Sequence, residues 1–138
     1  MTDIKSIDAT PQRPDGDRLV DAALQEIDLD KFIDSLKEES TWKESDRNSI
    51  TLHKSGNLAI VLMGLHKDAE IKPHNAEGML TLQVIKGEIE FITEQKRTML
   101  SKRQMVVLHE NIFHSVVAQE DSFVLLSISK TKEKEEGK

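Results

Sequence analysis

The spacing of apolar residues changes once along the chain. Over residues 28–39, Leu29, Phe32, Ile33 and Leu36 recur at three- and four-residue intervals, which puts them on one stripe of a helix. Asp28 stands at the N-cap position, and Asp30 and Asp34 lie toward the positive end of the helix dipole. A helix of about twelve residues does not persist alone in water, so the stripe has to dock on something. Trp42, just after it, is read as the packing anchor. Residues 19–27 fit either another helical turn or an extended lead-in. From about Asn48 the period becomes two. Ile50 and Leu52 alternate with Thr51 and His53, and Leu58–Leu65 reads as a buried strand after the Ser55-Gly56-Asn57 turn. Leu80, Leu82 and Val84 alternate with Thr81, Gln83 and Ile85; after the Lys86-Gly87 turn, Ile89 and Phe91 alternate with Glu88 and Glu90. Met105–Leu108, Ile112–Val117 and Phe123–Ile128 follow. Seven or eight short strands with no helix between them predict antiparallel sheet closed as a barrel or sandwich.

Composition and charge narrow the function classes. A chain of 138 residues is one ordinary domain. Its net charge is -6, and the imbalance lies in the first third: residues 1–48 hold 13 acids and 7 bases, residues 49–129 hold 9 and 8. No basic stripe is present, so nucleic acid is not an expected partner. The longest apolar run, Leu58–Leu65, falls far short of the roughly 20 residues of a membrane-spanning helix. The first residues carry no apolar signal-like stretch, and a cytoplasmic protein is expected. With no cysteine, disulfides, thiolate catalysis and cysteine-bound metals are excluded. The division read from these patterns is a flexible segment 1–17, a helical extension 18–47, a barrel 48–129 and a disordered charged tail 130–138.

The strand region resembles the cupins, small double-stranded β-helix (jelly-roll) barrels with two motifs, G(X)5HXH(X)3–4E(X)6G and G(X)5PXG(X)2H(X)3N. Anchored on Gly87, the first motif places His74 at the first histidine, Ala76 at the second and Leu80 at the glutamate. Anchored on His114, the second places Asn111 and Arg103 at its two glycines and His109 at its proline. Asn111 suits a glycine position because asparagine tolerates the left-handed backbone. The stretch KPHNAEGMLTLQVIKGEIEF is also similar to a branch of small bacterial cupins that keeps one of these histidines. The resemblance implies an all-β cupin barrel with a short N-terminal helical extension.

The same resemblance implies a degenerate metal site. A full cupin site gives three imidazoles and one carboxylate to a divalent metal; here His74 and His114 remain. The expected ligand pocket is His74, Ala76, Leu80, His109 and His114, with His74 and His114 holding a divalent metal only weakly and Glu77 or His109 as candidates to complete a shell. Three functions stay open: a small-molecule-binding module with a largely apolar cup and a His pair, a metal-dependent dioxygenase or isomerase using His74 and His114, and a structural or partner-binding dimer with the acidic extension as the contact. His53 and His66 match no motif position and are read as surface residues. A homodimer is expected, covering outward apolar positions such as Ile85, Phe113 and Val117.

Overall fold

The computed structural model describes residues 20–130. The segment 1–17 and, apart from Lys130, the tail 130–138 therefore lie outside the described residues. Two helices, α1 (Leu29–Glu38) and α2 (Ser40–Glu44), precede nine strands. These are β1 (Arg47–Lys54), β2 (Leu58–Leu65), β3 (Glu70–His74), β4 (Met79–Lys86), β5 (Glu88–Thr93), β6 (Arg97–Ser101), β7 (Met105–Leu108), β8 (His114–Ala118) and β9 (Ser122–Ser129). All pairings are antiparallel. One sheet runs β1-β2-β9-β4-β7 and the other β3-β8-β5-β6.

The alternation read from the sequence sorts residues between two clusters. The inward residues Leu80, Leu82 and Val84 of β4 meet Val124, Leu126 and Ile128 of β9, Ile89 and Phe91 of β5, and Val116 and Ala118 of β8. Several of their outward neighbours on the five-stranded sheet are covered by the helices. Ile60, Leu62, Phe123, Leu125 and Ile85 form a second cluster with Ile33, Leu36 and Trp42 of the helices. Ile85 is thus correctly read as outward, but the helical extension covers it rather than a second copy. Val117 is half-buried opposite Glu70 and Glu90, not part of an open apolar face.

Helix α1 forms as its sequence predicts. The Asp28 carboxylate accepts the Lys31 N–H at 3.3 Å, and Ile33 and Leu36 are fully buried. Each such burial stabilises by about 1.5–3 kcal/mol before entropy costs, enough to hold a ten-residue helix that would melt if free. The Asn48 side chain donates to the Leu36 carbonyl at 3.1 Å and fixes the helix end to β1. Residues 20–27 form no helix and lie beside the end of β1, where the Val20 carbonyl accepts the Lys54 N–H at 3.1 Å.

Trp42 closes the junction. Its ring stacks on His66 at 3.6 Å and lies 5.1 Å from Phe123. The His66 Nε2–H donates to the Trp42 carbonyl at 2.8 Å, and His53 bridges Gln25 and Ser55. Neither histidine is a free surface residue. Gly64 makes this contact possible, because a Cβ there would sit 2.5 Å from the Phe123 ring and 2.9 Å from Trp42.

Two strands escape the sequence pattern, β3 and β6, both edges of the four-stranded sheet. A third begins late: the strand expected over Ile112–Val117 starts at His114, leaving Ile112 and Phe113 exposed in the β7–β8 loop.

Gly64→Ala is expected to cost about 1–3 kcal/mol by pushing Phe123 and Trp42 apart. Leu36→Ala should cost about 2–5 kcal/mol, and Phe32→Ala less, because Phe32 is only half-buried. Urea unfolding of the three variants checks the ranking; a neutral Gly64→Ala would mean that the helices sit more loosely than described.

Candidate functional site

The site is built on four turns. Among the described residues, four adopt positive φ: Asp68 at 73°, Gly87 at 94°, Arg103 at 73° and Asn111 at 62°. These are the four glycine positions of the two cupin motifs: Asp68 stands six residues before His74, Gly87 seven after Leu80, Arg103 and Asn111 eleven and three before His114. The backbone keeps the left-handed turns although three of the glycines are gone. At Gly87 no side chain fits, since a Cβ would lie 2.6 Å from the Asp121 carbonyl. The Arg103 N–H donates to Val84 at 2.8 Å, and the Asn111 N–H to the Ala76 carbonyl at 2.9 Å. The last bond ties the β7–β8 loop to the β3–β4 loop.

His74 ends β3, His114 begins β8, and they are cross-strand partners. Their ring centroids are 4.4 Å apart with the planes tilted by 54°. Phe91 stacks against His114 at 5.5 Å between ring centroids. Each ring is held the same way. Nδ1 of His74 lies 3.0 Å from the Lys72 carbonyl, and Nδ1 of His114 lies 3.0 Å from the Ile112 carbonyl. A carbonyl only accepts, so both Nδ1 atoms carry the proton and both Nε2 atoms keep a lone pair in the neutral rings. Burial pushes both pKa values below the ordinary 6.5, and the neighbouring His74 lowers that of His114 further. At neutral pH the site is two uncharged imidazoles.

The other expected pocket residues are more dispersed. Leu80 is buried in the barrel core opposite Leu108 and Ile128. Ala76 lines a cavity of about 360 Å³ with Leu58, Ala59, Glu77, Ile128 and Lys130 among others. A second cavity of about 540 Å³ lies between the β5–β6 turn and the β7–β8 loop, lined by Thr93, Leu108, Asn111, Ile112 and Phe113 among others. Both open at the end of the barrel that carries the two histidines. His74 stands two residues before Ala76 of the first, and His114 two residues after Ile112 of the second. Neither imidazole is part of either lining. His109 lies exposed on the turn after β7, outside both.

Comparison with solved structures finds the same fold in proteins named as cupins. A cupin 2 conserved barrel domain protein from Leptotrichia buccalis shares 30% identity over 63% of this chain and 42% of its own, with a TM-score of 0.60. An RmlC-like cupin protein from Desulfovibrio desulfuricans shares 28% identity over 60% of this chain and 81% of its own, with a TM-score of 0.55. The chain belongs to the cupin superfamily. A conserved protein of unknown function from Streptococcus pyogenes is similar over more of the chain, 82% of this one and 93% of that one, at 24% identity and a TM-score of 0.63. No family profile and no curated protein matches the sequence. No helix among the described residues is long and apolar enough to cross a membrane.

The donor set does not fit a cupin metal centre. Ala76 and Leu80 offer no donor atom at two of the four ligand positions, and Leu80 is part of the packed core. Among the described residues no three His, Asp or Glu side chains gather closely enough to hold a metal ion. Glu77 and His109, the candidates to complete a shell, are both exposed.

Two outcomes follow. Because burial lowers both folded-state pKa values, the unfolded chain takes up protons first as the pH falls. The contribution to stability is complete above the ordinary histidine range and is lost as the pH drops through 6.5 toward the lower folded values. Urea unfolding between pH 7 and pH 5 should show this loss, with a shallower slope in His114→Asn; equal slopes would mean that His114 titrates as it does in the unfolded chain. Arg103→Gly should raise stability by about 0.5–1 kcal/mol, the left-handed cost less the added entropy of glycine. A loss there would show that the Arg103 side chain contributes more than its turn costs.

Proposed function

We propose that this cupin is a small-molecule-binding module that grips a hydrogen-bond donor on its ligand through the Nε2 lone pairs of His74 and His114, without a metal. The observation that carries this is the shared tethering of the two Nδ1–H groups to the carbonyls of Lys72 and Ile112. With those protons committed, each ring can only accept at Nε2. Two acceptors 4.4 Å apart between ring centroids suit a ligand hydroxyl, amide or ammonium group. They offer nothing to a carboxylate. The lowered pKa values keep the lone pairs unprotonated at neutral pH. The apolar Phe91 ring beside His114 suits a hydrocarbon group next to that donor.

The reading is tested by NMR titration with small alcohol- and amide-bearing fragments, following the ring Cε1–H signals of both histidines. Saturable shifts at both, weakened in His74→Asn, are expected. No response to any fragment would contradict it. So would a near-stoichiometric transition metal that survives dialysis against chelator in protein purified without added metal.

A further inference from the structure

Three half-buried polar side chains meet at the β1–β2 hairpin, and their hydrogen bonds run in one direction. The side-chain nitrogen of Gln25 donates to the Leu52 carbonyl. A carbonyl only accepts, so the amide turns its oxygen to His53, whose Nδ1 lies 3.0 Å away. That oxygen also only accepts. In the neutral ring Nδ1 therefore carries the proton and Nε2 holds a lone pair, which faces the Ser55 hydroxyl at 3.0 Å. Ser55 Oγ also lies 3.4 Å from the Leu58 carbonyl. The bare Nε2 is the nearer acceptor and takes the hydroxyl's hydrogen bond.

The backbone sets this order. His53, in β1, and Ser55, one residue past its end, stand two residues apart, the spacing that puts side chains on one side of an extended chain. The pairing of β1 with β2 shifts register between Thr51 and His53, and such irregularities re-aim the side chains beside them. Gln25 comes from the segment that runs beside the end of β1, 28 residues before His53 in the chain.

A hydroxyl on an acceptor imidazole, with the other ring nitrogen held by a third group, is the arrangement that activates a nucleophile. Ser55 also lines the cavity of about 360 Å³ at the barrel end. Leu58, Ala59, Ala76 and Ile128 give that cavity an apolar wall. Gly56 and Asn57, directly after Ser55, line it too, and their N–H groups donate to no main-chain acceptor among the described residues. Free N–H groups beside a nucleophile are donors for the oxyanion of a carbonyl under attack.

We infer that Ser55, His53 and Gln25 form a hydrolytic site for small carboxylic esters, with Ser55 as nucleophile, His53 as general base and Gln25 as the positioning residue that holds the imidazole. Ser55 Oγ bonds to the carbonyl carbon while its proton passes to His53 Nε2. The bond to the alkoxy oxygen then breaks, and that oxygen leaves with the proton as an alcohol. Water repeats both steps on the acyl-serine, releases the carboxylic acid and restores Ser55. The apolar wall takes the acyl chain. This site is separate from the His74–His114 pair, and neither reading depends on the other.

The test uses the full chain with p-nitrophenyl butyrate as substrate and an alkyl fluorophosphonate as label, located by peptide mass spectrometry. The label should attach at Ser55 and fail to attach in His53→Asn. Ser55→Ala and His53→Asn should each lower kcat about 100-fold with circular dichroism unchanged. Gln25→Leu should lower kcat and leave KM as it is, which loss of a merely structural contact would not single out. The chain has no cysteine, so Ser55→Cys introduces a single thiol. Iodoacetamide should alkylate it about tenfold faster than in the same variant carrying His53→Asn, because the imidazole draws off the thiol proton. That readout needs no turnover. Label on another residue or none, hydrolysis unchanged in Ser55→Ala, or equal alkylation rates would overturn the proposal.

Discussion

Four left-handed backbone positions hold the register on which the barrel depends. Asp68, Gly87 and Arg103 reverse or redirect the chain at one end and Asn111 at the other, each between two strands. A one-residue slip of any strand would turn its inward row to water. The His74–His114 pairing hangs on two of these turns, since Asp68 leads into β3 and Asn111 into β8. Three of the four positions carry side chains, each at a cost of about 1–2 kcal/mol relative to an ordinary conformation. The packed rows of β4, β9, β5 and β8 offset that cost, and the positions survive the loss of their glycines because the fold requires the turns rather than the residue type.

What was legible in the sequence follows from how many side chains each element buries. Strands β2, β4 and β9 are central, and their alternation or unbroken apolar run stands out. Strands β3 and β6 are edges of the smaller sheet; Ile71 packs against the core from the first and Leu100 is buried from the second. A single apolar residue has no period, so neither segment announces itself, and Pro73 argues against a strand outright. The outward direction of Ile85 was readable from alternation. Its cover was not, because no local pattern says which surface a docked helix occupies.

The site was legible through motif spacing alone. Counting from Gly87 and His114 brings His74 and His114 together, and the pairing is there. Counting does not show depth, which is why Leu80 belongs to the core rather than to an open wall and why His109 stands away from both cavities. Asp68 is hidden as a motif position, because aspartate does not suggest a glycine site until its φ is known. The place of His66 is hidden for a similar reason: it stacks on Trp42, a contact between residues 24 apart in the chain.

The chemistry of the pair comes from tethering and burial together. Tethering chooses the tautomer with the bare Nε2, and burial keeps that ring neutral. The Nε2–H form is the commoner one for a free neutral imidazole, so the opposite assignment in both rings would be a property of this fold. Long-range proton–nitrogen correlation spectra of uniformly nitrogen-15-labelled protein at neutral pH read the two ring nitrogens of each histidine directly. The account predicts a protonated Nδ1 and an unprotonated Nε2 for both His74 and His114. Protonated Nε2, or fully charged rings, at either position would contradict it.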